Sequence, residues 1–455
     1  MAPPERKEFM TAQAIKERSL YRAQFEALRA DTGARFPSWV GRLRAGAIER
    51  FEELGFPTTD LEDWKYTNVA PIAKTTFVAA SSDEARTATA DDIAPFIYPE
   101  AARSRLVFIN GMYRDDLSSV DDLPEGVVAA NLGDAFSGVH AETLREQLAR
   151  LASDEPDAFT ALNTAFFDNG AFIYVPKGVR AEVPLHLLFL SDATTEQTIS
   201  FPRVLVVAER ESETTVIESY AAVGDGTHLT NAVVEVCVGE GARVTHYKVQ
   251  TESERAFHIA STWADLGRDG VYDGTTITLG AQLSRHGISV RLDHPGAECW
   301  VDGLYLVGTG QHADTHSLID HRQPHCISHQ NYKGILDGKS RAVFNGRIFV
   351  HKDAQKTDAR QSNKNLLLSN EARIDTKPQL EIFADDVKCA HGATVGQLEE
   401  EELFYLISRG LHNELARNLL TYGFAEELVE KIKIESIKTQ LDEAILNRLH
   451  ARLEV

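Results

Sequence analysis

Cysteine is scarce, with four residues in a chain of 455, at positions 237, 299, 326 and 389. None is close enough to another to form a Cys-x-x-Cys metal or redox motif. The polar, mixed-charge stretch from Met1 to Arg18 lacks the apolar core of an export signal. Together these features predict reduced thiols in a cytoplasmic protein. No run approaches the roughly 20 apolar residues of a membrane helix. Basic residues are also short, with 47 Lys and Arg against 68 Asp and Glu and a net charge of −21. Such a field repels a phosphate backbone, so nucleic-acid binding is excluded unless a local basic patch rescues it. At 43% apolar and 25% charged the chain is otherwise ordinary for a globular protein, and its length calls for two or three domains.

Three zones follow along the chain: a helical and linker region over 1–158, a β core over 159–396 and a helical end over 397–455. In the first, Ser38 precedes Val40, Leu43, Ile48, Phe51 and Leu54 at mostly helical spacing, and Gly55 with Pro57 ends the run. Met10–Ala30 is a second candidate helix, and Ala79–Asp92 reads as a linker. A strand over Arg105–Asn110 turns at Asn110-Gly111, and a helical patch lies near Ala141–Leu151. The β core strings together short β-branched or alternating segments with no amphipathic helix of ten residues or more. Tyr272-Asp273-Gly274, Val301-Asp302-Gly303 and Phe344-Asn345-Gly346 each lead into a strand, spaced by 29 and 43 residues (303 − 274; 346 − 303). Turn-then-strand units of this kind suggest a β-solenoid with these pairs at its corners, although a β-sandwich fits the pattern as well. After Gly396 come three apolar stripes at helical spacing, the first ended by Gly410 and the second by Gly423.

Among the motifs, Gly334–Ser340 is one residue short of a phosphate loop and leads into a strand rather than a helix, so it reads as a turn. His312, His316, His321, His325 and His329 fall within eighteen residues, with Asp314, Asp320 and Cys326 among them. Steps of four keep side chains on one face, so a metal site is one reading and scattered surface histidines the other. Cys389-Ala390-His391 places a thiol and an imidazole on one face of a strand. That pair suits iron or sulfur ligation, or a nucleophile with its base, or a buried cysteine beside a turn histidine. A self-sufficient metalloprotein or thiol hydrolase built on these groups is therefore a second function class.

Six stretches then form one pattern: Ser340 to Gly346, Gln355 to Asp358, Asn365 to Ser369, Asp375 to Glu381, Ala384 to Gly396, and Glu402 to Leu406 with Ser408-Arg-Gly410. Together they resemble the SufB/SufD core family over about seventy residues. Glu62-Asp-Trp-Lys-Tyr-Thr67, after Gly55-Phe-Pro-Thr-Thr59, is similar to the N-terminal signature of that family's SufD branch. The resemblance implies a right-handed parallel β-helix flanked by N-terminal and C-terminal α-helical domains. It also implies a non-catalytic scaffold for iron–sulfur cluster assembly that pairs with a SufB-like subunit and docks a SufC-like ATPase, with a homodimer as one option for the chain in isolation. The family motif Cys-x-His-Gly-Ala-Thr places the functional histidine at His391, a ligand for iron or a nascent cluster at the SufB interface, with Cys389 beside it. No tightly bound cofactor is expected in the isolated chain.

Overall fold

The computed structural model describes residues 12–33, 35–79, 88–152, 157–194 and 197–450. The proposed linker lies mostly outside these residues. Within them the chain is mainly β, 40% strand against 26% helix, wound as a parallel β-solenoid of about eight turns. Successive strands alternate between a front sheet of eleven strands and a back sheet of ten. On the front sheet Leu283 pairs with His312 and His312 with Arg341, a coil of 29 residues (312 − 283; 341 − 312). From Leu185 onward every strand pair is parallel. This decides against a sandwich, whose sheets are antiparallel. Antiparallel pairing is confined to the start: Arg105–Ile109 with Met112–Tyr113, and Val128–Asn131 with Ala171–Val175. The first of these is the hairpin predicted at Asn110-Gly111, where both residues take positive φ (49° and 81°).

The Asp/Asn-Gly pairs do not sit at corners. Gly274, Gly303 and Gly346 lie within the strands Val271–Thr278, Glu298–Val307 and Arg341–Val350. They face the lumen beneath larger neighbours. A Cβ on Gly303 would lie 2.1 Å from the Tyr332 ring, and one on Gly346 only 2.4 Å from Nε2 of Gln361. Their spacing is also no coil period, because Gly346 belongs to the front sheet and the other two to the back. The true corners use Gly241, Gly296, Gly310 and Gly338, with Asp269, His325 and Lys356, all at positive φ. Gly338 is the turn foreseen inside the false phosphate loop.

Helices roof both outer faces. Tyr21, Phe25, Ile48 and Phe51 come from Ala12–Thr32 and Ser38–Leu54, and Phe159, Leu162 and Phe166 from Ala158–Phe166. These cover Ile199, Leu229, Phe257 and Leu283 of the front sheet. Gly55 ends its helix as expected, at φ 64°. On the back sheet, Leu428, Val429, Ile432, Ile437, Leu441 and Ile445 cover Tyr247, Val249, Ile277, Leu304 and Ile335. The second C-terminal helix runs Asn413–Val429, straight through Gly423. A helical glycine costs only about 1 kcal/mol, less than the packing of Ala425, Leu428 and Val429 supplies.

Candidate functional site

Arg373–Ile382 and Lys388–Gly396 end the front and back sheets, so each leaves one edge without a neighbour among the described residues. Their unpaired N–H and C=O groups are ready to accept another strand. Pro378 lacks an N–H and blunts the front edge, whereas the back edge carries no proline. The earlier coils are capped by their successors, but the lumen of this last coil stands open. Cys389 and His391 share one face, as the sequence predicted, and their register with Ala359 and Gln361 makes it the inner one. Cys389 packs against the end of the solenoid core while remaining half-buried, and His391 is exposed. Burial pushes the Cys389 thiol above its ordinary value, so metal ligation there releases a proton.

Beneath this coil the lumen is polar rather than aliphatic. Gln361, Asn363 and Asn365 project inward from Asp358–Leu367 and are all buried. Asn365 donates to Asn363 at 2.6 Å, Thr376 donates to Asn363 at 2.9 Å, and Gln361 donates to Gln330 at 2.6 Å. The result is a cup with an amide floor and a thiol and imidazole on one wall. These floor residues carry no sequence signal of their own, since alternation along Asp358–Leu367 does not say which face is the lumen, and the Gln361–Gln330 bond joins residues a whole coil apart.

The histidine-rich coil does not converge. His312 Nε2 donates to Thr67 Oγ1 (2.9 Å), whose own proton goes to Asp314, and His316 faces Asp314 (3.0 Å), both on the outer front face. His321 is buried against Ser328 (2.8 Å), His325 occupies a corner, and His329 stacks on Trp300 with ring centroids 4.4 Å apart. Among the described residues, no group of three His, Cys, Asp or Glu side chains is placed to hold a metal ion. Two of these histidines instead help seat the Glu62–Thr67 segment. Thr67 donates to Asp314 at 2.5 Å, Glu62 pairs with Lys377 at 2.7 Å, and the Trp64 ring lies 3.8 Å from the Arg285 guanidinium. Burial opposes ionisation of Asp314, but Arg285, His316 and Thr67 outweigh it and hold the carboxyl well below its usual range.

Sequence reading missed a second buried cluster, about five coils from His391 in the same lumen. Glu218 contacts His246 and Tyr220, while Glu252 contacts His258 (2.8 Å) and His228 (3.4 Å). Lys248 reaches Nε2 of His258 at 2.7 Å and lies 3.8 Å from the Tyr220 ring centroid. An ammonium can only donate, so Nε2 of His258 accepts and the proton sits on Nδ1, 2.8 Å from a Glu252 oxygen. Burial lowers the Lys248 pKa to about 8, against the pull of Glu218 and Glu252. The cluster is sealed from solvent and fixes the strands that carry it, because losing one member strands the others' charge.

The profile of the SUF system FeS cluster assembly SufBD core domain matches residues 189–424, and that of the SufBD N-terminal region matches residues 15–187. The chain belongs to the SufBD family. It is 37% identical over 413 residues to an iron–sulfur cluster assembly SufBD family protein of Synechocystis sp., covering 88% of this chain and 89% of that one. It is 31% identical to the iron–sulfur cluster assembly protein SufD of Escherichia coli, over 89% and 91% of the two chains. The SufD of Bacillus subtilis is 29% identical over 89% and 93%. Membership in the SufBD family assigns the chain a role in iron–sulfur cluster assembly.

Proposed function

We propose that this chain is a scaffold subunit of a SufB–SufC–SufD-type complex, without catalytic activity of its own. It pairs with a SufB-like subunit through the open last coil and docks a SufC-like ATPase on its C-terminal helices. At the subunit junction His391, with Cys389 as an auxiliary thiol, holds iron or a nascent cluster as passing cargo.

The observation that carries this reading is the uncovered, amide-floored cup whose wall presents Cys389 and His391 between two open strand edges. Two ligands make an incomplete coordination sphere for iron, which takes four in a typical cluster. A partner must supply the remainder, so the isolated chain holds no cargo tightly. A neutral imidazole leaves coordination positions open, which suits a site that must release what it builds. The same free edges allow self-pairing into a homodimer when the SufB-like subunit is absent.

The ATPase face is read from Phe404, Tyr405, Leu415 and Leu419, large apolar residues left exposed on Glu400–Ser408 and Asn413–Val429. Nucleotide chemistry belongs to the partner, because Gly334–Leu336 ends a strand and Asp337–Ser340 is a corner with no helix behind it. The whole assembly works in the cytoplasm; among the described residues no helix is long and apolar enough to cross a membrane.

Hydrogen–deuterium exchange on the chain with and without the SufB-like subunit tests the pairing. Backbone amides of 388–396 should gain strong protection in the complex. A complex that forms while these amides exchange as before contradicts the assignment.

A further inference from the structure

The floor of the cup contains an unsatisfied acceptor. Gln361 is 3% exposed, and among the described residues its Oε1 is without a hydrogen-bond partner, as is Nε2 of Gln330. Gln361 Nε2 donates to Oε1 of Gln330 on the preceding coil at 2.6 Å, and it lies over Gly346 of the opposite sheet, whose missing Cβ makes the room. The oxygen and nitrogen of a primary amide diverge, so this bond leaves Oε1 facing away from Gln330 and open to a donor from elsewhere. On the following coil the residue in register with Gln361 is His391. Adjacent strands lie about 4.8 Å apart, within reach of a hydrogen bond from an imidazole to a glutamine side chain. A buried carbonyl oxygen is costly to leave without a donor, and the His391 ring is the donor that the register supplies.

We propose that Gln361, itself fixed by Gln330, is the positioning residue for His391. When the exposed His391 ring turns inward, Oε1 accepts from its proton-bearing nitrogen, selects one tautomer, and leaves the lone pair of the other nitrogen facing out of the open end. Metal-binding histidines are oriented in this way by a hydrogen bond to the nitrogen that does not ligate. The inference rests on the reading of His391 as a ligand for iron or nascent cluster. It adds a reason for the amide floor: a histidine on an exposed terminal strand would otherwise sample both tautomers and several rotamers.

The test uses the full-length chain with isotope-labelled histidine, the His391 signals being assigned by their loss in His391→Ala. Long-range proton–nitrogen spectra report which ring nitrogen carries the proton. Wild type should show one dominant tautomer, Gln361→Met a mixture, and Gln361→Glu, which keeps an acceptor, a single tautomer again. In the complex with the SufB-like and SufC-like subunits, Gln361→Met should slow cluster assembly roughly tenfold, with Gln361→Glu closer to wild type. If Gln361→Met does not fold, Gln330→Met frees the Gln361 amide to rotate and should also mix the tautomers. An unchanged tautomer ratio in a folded Gln361→Met chain overturns the proposal. Should His391→Ala assemble clusters normally, the functional reading falls and the role of Gln361 with it. Loss of assembly in His391→Ala with a fully active Gln361→Met complex overturns the positioning role alone.

Discussion

Tyr247 and Lys248 are neighbours on one strand and face opposite ways: the Tyr247 hydroxyl accepts from the backbone N–H of Lys433 at 3.1 Å outside the back sheet, while the Lys248 ammonium enters the lumen beside His258. The apolar side of this strand is therefore its outer side, covered by the C-terminal helices, and its charged side is its inner side. Lys248→Met leaves Glu218 and Glu252 buried without their cation. It should destabilise the fold by about 3–5 kcal/mol, measured as a lowered urea midpoint. A midpoint within error of wild type would show that the lumen cluster is neutral as folded.

Arg203 and Glu235 form a fully buried pair at 2.5 Å, and Glu235 also accepts backbone N–H groups from Ala149, Leu151 and Ala152. Glu235→Gln keeps the shape but leaves the guanidinium uncompensated, at a cost of about 3–5 kcal/mol. It also weakens the tether on residues 149–152. Limited proteolysis should then cut near this segment several times faster than in wild type. An unchanged digestion pattern contradicts the tether.

His186 and His321 are held neutral by burial, which lowers each pKa from 6.5 to about 3. The unfolded chain takes up a proton near pH 6.5 and the folded chain only near pH 3, so the unfolded state binds more protons between these values. Stability is constant above the window and falls as the pH drops through it, by about 2 kcal/mol per histidine at pH 5. His321→Gln should lose correspondingly less between pH 7 and pH 5 than wild type does. Parallel losses in the two proteins contradict the assignment.

The helical roof bears on how the ATPase surface can be tested. Truncation after Gly396 would bare Tyr247, Val249, Ile277 and Leu304, and loss of binding would then mean only loss of the fold. Phe404→Glu with Tyr405→Glu alters exposed side chains and should leave the melting temperature within a few degrees while abolishing co-purification with the SufC-like subunit. Normal co-purification places that interface elsewhere.

Features set by local chemistry were legible in the sequence. The Asn110-Gly111 hairpin, the helix stop at Gly55 and the shared face of Cys389 and His391 each depend on a few adjacent residues. What escaped depends on which side of a strand is covered. Alternation at His246, Tyr247, Lys248 and Val249 fixes two faces but not which is inside, and helices from the far end of the chain decide that. The Asp/Asn-Gly pairs misled for a related reason. Glycine there makes room for Tyr332 and Gln361, residues that lie 29 and 15 positions further on (332 − 303; 361 − 346). The column Gln330, Gln361, His391 is likewise visible only once coil length is known (361 − 330 = 31; 391 − 361 = 30).

On the proposed reading, His391 holds cargo at a junction completed by a partner. The most direct test is the rate of iron–sulfur cluster formation by the purified three-subunit complex carrying His391→Ala, beside Cys389→Ser and wild type. The complex should form with normal stoichiometry in all three. Cluster formation should fall at least roughly tenfold in His391→Ala, as expected for loss of a metal contact, and less in Cys389→Ser. An intact His391→Ala complex that builds clusters at the wild-type rate would remove His391 from the cargo site.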